Sequence, residues 1–313
     1  MKIEKLAGLI AAPFTPMYPD GEINSGIIEK YHRLLVSNGV VGAFINGSSG
    51  EGVSITNHEK LIVAEAWAKA SSTSNLKVIS HLGGTCYRDC IELAGESEKM
   101  GLYAVAVTSP SYFKPANVKM LAEFFIRVAE SVPEMPVYYY HIPVLTGGFF
   151  NMIDFVREVA PRVPNFAGIK YTHEDFMDFL SCLNYDNGRY DMLWGRDENF
   201  LSALVLGARG AVGSTYNYAA PLYHRMIEAF ERNDQVTARA MQEKSIDMIT
   251  LLAKYGGIAT GKAYMRFIGL DCGEFRLPVR NMSVADYQAF VKDVRELGMD
   301  DLFSKASGMA RFR

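Results

Sequence analysis

The sequence predicts a (β/α)8 barrel of the TIM type with an appended C-terminal helical bundle. Three observations lead there. A strand-then-helix period runs through about the first 230 residues and yields eight pairs. The strands are apolar runs rather than polar–apolar alternations, as expected when helices cover a parallel sheet. No G-x-G-x-x-G opens a helix, which argues against an open dinucleotide-binding sheet. A chain of 313 residues suits one large barrel.

The elements follow in order. GLIAAPF (8–14) is the first strand, and residues 24–38 form a helix with Ile27, Ile28, Tyr31, Leu34 and Leu35 on one face, stopped by Asn38-Gly39. VVGAFING is the second strand. Thr56-Asn57-His58-Glu59 reads as a capping box opening a helix to about Ala70. KVISHLGG is the third strand, with its helix ending near Met100-Gly101. YAVAVTS precedes the helix ANVKMLAEFFIRVAES, and MPVYYYHIP precedes MIDFVREVAP. NFAGIK precedes DFMDFLSCL, YDMLWG precedes ENFLSALVLG, and RGAVGST precedes a helix from about Pro221. The barrel is thus assigned to residues 1–233. Residues 234–313 show only helical patterns, such as DMITLLAKYG and VADYQAFVKDVRELG, and read as the extension.

Composition narrows the function. The net charge of -3 and the lack of a Lys/Arg run speak against a nucleic-acid partner. LAGLIAAPF (6–14) is too short to span a membrane, and Glu4 before it with no small-residue cleavage site after it argues against a signal peptide. A cytoplasmic protein is expected. Cys86 and Cys90 would share a helix face, but no metal-ligand spacing completes a site, and the four cysteines read as free thiols.

In such a barrel, chemistry gathers at the C-terminal strand ends. Lys170 ends an apolar strand there, whereas Lys77 opens a strand at the opposite face and can reach water. An ammonium walled by apolar neighbours is disfavoured, and the neutral amine attacks carbonyls. Taken alone, a strand-end lysine such as Lys170 more often reaches solvent or a salt bridge. Tyr140 ends the neighbouring strand. Alternation puts it on one face with Tyr138, with Tyr139 on the other, and an inward phenol can move protons. Tyr138 and Tyr139 read as packing. GSSGEG (47–52) fits neither a phosphate loop nor a nucleophile elbow, and is either a plain turn or a nest for a small carboxylate. Asp197 and Glu198, with Ser214 and Thr172 nearby, suit a neutral polyol. Glu198 equally suits a helix start.

The motifs GSSGE, YHIP and GIK resemble those of the pyruvate-dependent class I aldolase family that contains dihydrodipicolinate synthase and N-acetylneuraminate lyase. The resemblance covers nearly the whole chain. It implies a Schiff base between Lys170 and pyruvate, proton transfer by Tyr140, and a carboxylate held by Ser48 and Ser49, so that Lys170, Tyr140 and Ser49 are the expected catalytic residues. It implies no metal or organic cofactor. The arginine that the synthase branch carries after the fifth strand is missing from HIPVLTGG. The patterns Lys170-x-Thr172, Gly195-x-Asp197-Glu198 and Gly213-Ser214-Thr215-Tyr216-Asn217 resemble the lyase branch, and YYYHIP with VGSTYNY its animal-like subgroup. This implies cleavage of sialic acid to N-acetylmannosamine and pyruvate, with Thr172, Gly195, Asp197, Glu198 and Ser214 on the hydroxylated tail. The alternative is a related aldolase acting on a 2-keto-3-deoxy sugar acid. The resemblance also implies a homotetramer in which Tyr112 reaches a neighbouring subunit's site. His141 stands where many members have asparagine.

Overall fold

The structure, a computed structural model, describes residues 4–305. Residues 306–313 of the expected extension lie outside the described residues. Eight parallel strands close into a barrel: β1 (Gly8–Ala11), β2 (Gly42–Ile45), β3 (Lys77–Gly83), β4 (Ala104–Thr108), β5 (Val137–His141), β6 (Phe166–Tyr171), β7 (Asp191–Trp194) and β8 (Gly210–Gly213). Closure is direct, because β1 pairs with both β2 and β8.

The helices on the outside are α1 (Ile28–Ser37), α2 (Asn57–Ser71), α3 (Tyr87–Lys99), α4 (Val118–Ala129), α5 (Pro143–Thr146), α6 (Met152–Val159), α7 (Phe176–Asn184), α8 (Phe200–Val205) and α9 (Tyr216–Glu231). The C-terminal helices are α10 (Gln235–Lys254), α11 (Ala259–Phe267) and α12 (Val284–Glu296). The capping box at Thr56 is formed, with Thr56 Oγ1 accepting from the Glu59 N–H and the Glu59 carboxylate accepting from the Thr56 N–H.

Two segments differ from the reading of the sequence. The last barrel helix starts at Tyr216, five residues before Pro221, and breaks at Ala219 (φ -137°, ψ 30°). Proline cannot donate to the preceding turn, so the chain makes one buried turn, kinks, and restarts. The one-turn α5 after β5 was not expected, although Pro143 at its start and Gly147 at its end are ordinary helix punctuation.

The apolar side chains form two cores. One lies between strands and helices. The other fills the barrel interior and includes Ile10, Phe44, Ile79, Tyr138, Tyr140, Leu193 and Val212. Alanines at 104, 106 and 167 leave room there for the aromatic rings. Tyr138 and Tyr140 point inward and Tyr139 outward, as alternation requires. Tyr139 is packing, its ring 4.4 Å from that of Phe155. Tyr138 does more than pack: its hydroxyl donates to buried Asp191 Oδ2 at 2.9 Å, and the same oxygen accepts from Leu6 N at 3.1 Å. Asp191 and Leu6 belong to the N-terminal side of the strands, so this pair closes the barrel floor beneath the chemistry-bearing end.

Candidate active site

Lys170 and Tyr140 are direct cross-strand partners in the β5–β6 ladder. Both are buried. Lys170 Nζ lies 4.0 Å from the centroid of the Tyr140 ring and 4.1 Å from that of Phe44. Burial pushes the lysine pKa down, while Tyr140 and then Asp197 act in the opposite direction. Lys77 behaves as expected of the other face, half-exposed and paired with Glu4 at 3.3 Å. The Tyr140 ring is walled by Phe44 (5.4 Å, edge-on) and His81 (5.5 Å, edge-on). Its carbonyl accepts from Thr108 Oγ1 at 2.9 Å.

The serine loop leaves β2 through Asn46. Ser48 Oγ lies 3.4 Å from the Tyr140 hydroxyl, which brings the loop, the phenol and the lysine to one place. Ser49 is buried beside it. Asn46 (φ 58°) and Glu51 (φ 57°), neither a glycine, bracket the loop in the left-handed region. Such a conformation costs roughly 1–2 kcal/mol per residue and persists only where surroundings enforce it. His81 Nδ1 contacts the Asn46 carbonyl at 3.1 Å, so that nitrogen carries the hydrogen. Its burial pushes the imidazole down to about 3. A cavity of about 630 Å3 opens on Ser48 and Tyr140, and runs outward past Thr108 and Ile142 toward Lys60 and Asp89. Lys170, Asp197 and Ser214 do not line it.

At the ends of β6, β7 and β8 the expected residues fall into two kinds. Thr172 Oγ1 and Asp197 Oδ1 are buried and make no hydrogen bond of ordinary length among the described residues, with the buried Tyr216 hydroxyl beside the Asp197 carboxylate. Asp197 Oδ2 is occupied: it accepts from Thr215 N at 3.0 Å and Thr215 Oγ1 at 2.6 Å. Burial pushes the Asp197 carboxyl up to about 6, against the pull of those two bonds. Gly195 and Gly213 let these groups converge. A Cβ on Gly195 would stand 2.0 Å from Thr172 Oγ1, and one on Gly213 1.9 Å from Asp197 Oδ1. Ser214 is half-buried. Glu198 is turned to Arg196 at 2.5 Å, and Arg196 also pairs with Glu174 at 2.7 Å.

The stretch after β8 is more structural than its pattern suggested. Thr215 serves Asp197, and fully buried Asn217 donates to the carbonyls of Ala12 and Ser214, each at 2.8 Å. Tyr112 is 82% exposed, its ring edge-on to exposed Phe113, and it reaches no site of its own chain. His141 faces the helix layer, among the rings of Tyr171 and His173. The four cysteines are free thiols, three of them buried. Phe44 and His81 carried no expected role in the sequence, nor did Thr108 beyond its place at the end of the fourth strand. Phe44 was accessible, since strict alternation along β2 aims it into the barrel.

Residues 5–297 match the model of the dihydrodipicolinate synthetase family. The chain is 38% identical to human N-acetylneuraminate lyase over 284 residues, 90% of this chain and 89% of that one. It is 37% identical to the rat N-acetylneuraminate lyase over 306 residues, 96% of each chain. The solved structure of Proteus mirabilis N-acetylneuraminate lyase superposes with a TM-score of 0.91 at 37% identity, covering 94% of this chain and 99% of that one. Vertebrate and bacterial relatives thus match to nearly the same degree. The chain belongs to the dihydrodipicolinate synthetase family of pyruvate-dependent class I aldolases, in its N-acetylneuraminate lyase group.

Proposed function

We propose that the protein catalyses the reversible retro-aldol cleavage of N-acetylneuraminate to N-acetylmannosamine and pyruvate, with Lys170 as the covalent residue. The observation that carries this reading is the amine of Lys170, buried between the Tyr140 and Phe44 rings at the chemistry-bearing end of the barrel. Burial raises its neutral, nucleophilic fraction.

The amine adds to the C2 carbonyl of the open-chain sugar acid and water leaves, giving an iminium. Tyr140 takes the C4 hydroxyl proton as it passes its own to the substrate carboxylate. The C3–C4 bond then breaks. Its electron pair moves into an enamine with the iminium nitrogen as the sink, and N-acetylmannosamine departs as the aldehyde. Protonation at C3 and hydrolysis release pyruvate and restore the amine. Ser48 and Ser49 hold the carboxylate end. Asp197, Thr172 and Ser214 take the hydroxylated tail. The buried Thr172 and Asp197 oxygens that make no hydrogen bond of ordinary length among the described residues support this. Gly195 belongs to this end by making room for Thr172. Glu198 contributes to it through a carboxylate steadied by Arg196.

Tyr112, exposed on the isolated chain, is assigned to a neighbouring subunit's site in a homotetramer. The free thiols suit the reducing cytoplasm. Among the described residues, no helix is long and apolar enough to cross a membrane.

Borohydride reduction in the presence of pyruvate should add the reduced pyruvoyl mass to the peptide containing Lys170. Label on another lysine, or none, would sink the Schiff-base mechanism. Coupled pyruvate release should be faster from N-acetylneuraminate than from a 2-keto-3-deoxy sugar acid. The reverse order would reassign the substrate.

A further inference from the structure

The glutamate that ends the serine loop has no part in the chemistry above, yet it is among the most constrained residues of the molecule. Glu51 is buried and holds φ at 57°. Its own N–H donates to Ser48 O at 3.1 Å, and the next N–H, of Gly52, donates to Gly47 O at 3.0 Å, so its backbone closes the turn that carries both serines. Its side chain is held from outside the barrel. Lys262 Nζ, on α11 of the C-terminal extension, lies 2.8 Å from Glu51 Oε1. The Arg276 N–H donates to Oε2 at 2.8 Å. Lys262 is itself buried to the same degree, and its ammonium also donates to the Glu274 carbonyl at 2.8 Å and lies 4.7 Å from the Phe275 ring.

A buried ion pair is weak evidence of stabilisation, since desolvation offsets most of the attraction. A glutamate forced into the left-handed region is strain that needs an enforcer. Both oddities resolve together. We infer that Lys262 is a positioning residue: through Glu51 it locks the backbone of the serine loop in the shape that receives the pyruvate carboxylate, so the C-terminal extension is a working part of the site. The inference rests on the reading of that loop as the keto-acid pocket.

The test uses the full-length protein and measures the pyruvate concentration giving half-maximal borohydride trapping, the maximal trapping rate, and the melting temperature. Removing Lys262 alone would strand a buried carboxylate, so two double variants are compared. Lys262→Met/Glu51→Gln keeps the shapes and removes the ion pair, leaving only the Arg276 N–H to hold the side chain. It should raise the half-saturating pyruvate about tenfold, equivalent to ~1.4 kcal/mol, while the maximal rate stays within about twofold because the amine is untouched. Lys262→Met/Glu51→Gly also removes the ion pair but places a residue that adopts positive φ freely. It should return to within about threefold of the wild type. General destabilisation would lower the trapped fraction without moving half-saturation. Wild-type half-saturation in folded Lys262→Met/Glu51→Gln overturns the inference. So does equal weakening in both variants, which would make the pair a matter of charge and not of backbone. Ser48→Ala/Ser49→Ala separates the premise: if it leaves half-saturation unchanged, the loop does not hold pyruvate and the inference falls with that assignment.

Discussion

Replacing Tyr140 by phenylalanine removes one oxygen, and the structure makes this an unusually clean deletion. The ring is held by Phe44 and His81, and the backbone by Thr108 Oγ1 at 2.9 Å, none of which uses the hydroxyl. Among the described residues, the hydroxyl's contacts are Ser48 Oγ at 3.4 Å, a long one, and the Lys170 amine, whose pKa it helps hold up against burial. Its loss should cost no more than about 1 kcal/mol of stability. The loss of proton transfer is larger, about 10²–10⁴-fold in turnover, or roughly 2.7–5.4 kcal/mol at ~1.36 kcal/mol per decade. The assay pairs coupled pyruvate release from N-acetylneuraminate with borohydride trapping of the pyruvate imine, and thermal melting reports on the fold. Turnover should collapse while trapping and melting barely move. If turnover stays near the wild-type level, Tyr140 is a packing residue and the proton belongs to another group. If trapping falls as far as turnover, the phenol acts on the lysine and not on the C4 hydroxyl.

Other expectations follow from the strand ends and the floor. Glu198→Gln should lower kcat/KM for N-acetylneuraminate roughly tenfold and spare imine formation with pyruvate; equal damage to both would move this acid to the keto-acid end. Gly195→Ala forces a methyl to within 2.0 Å of Thr172 Oγ1, and should cost about 1–3 kcal/mol of stability by overpacking together with a loss of sialic acid cleavage. Wild-type cleavage in this variant would show that the tail does not depend on Thr172. Burial pushes the Asp191 carboxyl up to about 7, so between the ordinary carboxylate range and about pH 7 the native state binds more protons than the unfolded one. Stability should therefore fall across that window as pH rises, by at most roughly 1.4 kcal/mol per pH unit. Asp191→Asn keeps an acceptor for Tyr138 and Leu6 and should flatten the slope. Chemical denaturation from pH 4 to pH 8 measures it, and an unchanged slope would clear Asp191.

Much of this was legible because it is local. Eight apolar runs separated by helix-period segments specify a closed barrel, and alternation along YYYH assigns each ring to a face. The barrel then places Lys170 beside Tyr140 with no further information. What stayed hidden is non-local or without period. Lys262 and Glu51 stand 211 positions apart, and nothing near either residue announces the pair. The segment of α11 went unread because Ala259–Met265 is buried on every side, which leaves no polar stripe to mark a helix. Pro221 drew the start of α9 toward itself, whereas tertiary burial sustains a helical turn before it. Nothing in the Gly213–Asn217 pattern marks Thr215 and Asn217 as structural, yet their polar atoms go to Asp197, to Tyr31 and to backbone carbonyls.

The Tyr138–Asp191 floor has a kinetic corollary. A barrel stoppered at one end has a single doorway, and two products must queue for it. On the proposed assignment, with the keto acid tethered to Lys170, nearer the stopper, and the sugar at the β7 and β8 rim, the sugar stands closer to the exit. N-Acetylmannosamine is then expected to depart first and pyruvate last, and in the condensing direction pyruvate to enter before the sugar blocks its path. On the proposed mechanism the covalent bond to Lys170 sets this order, and the closed end beneath it denies pyruvate a second way out.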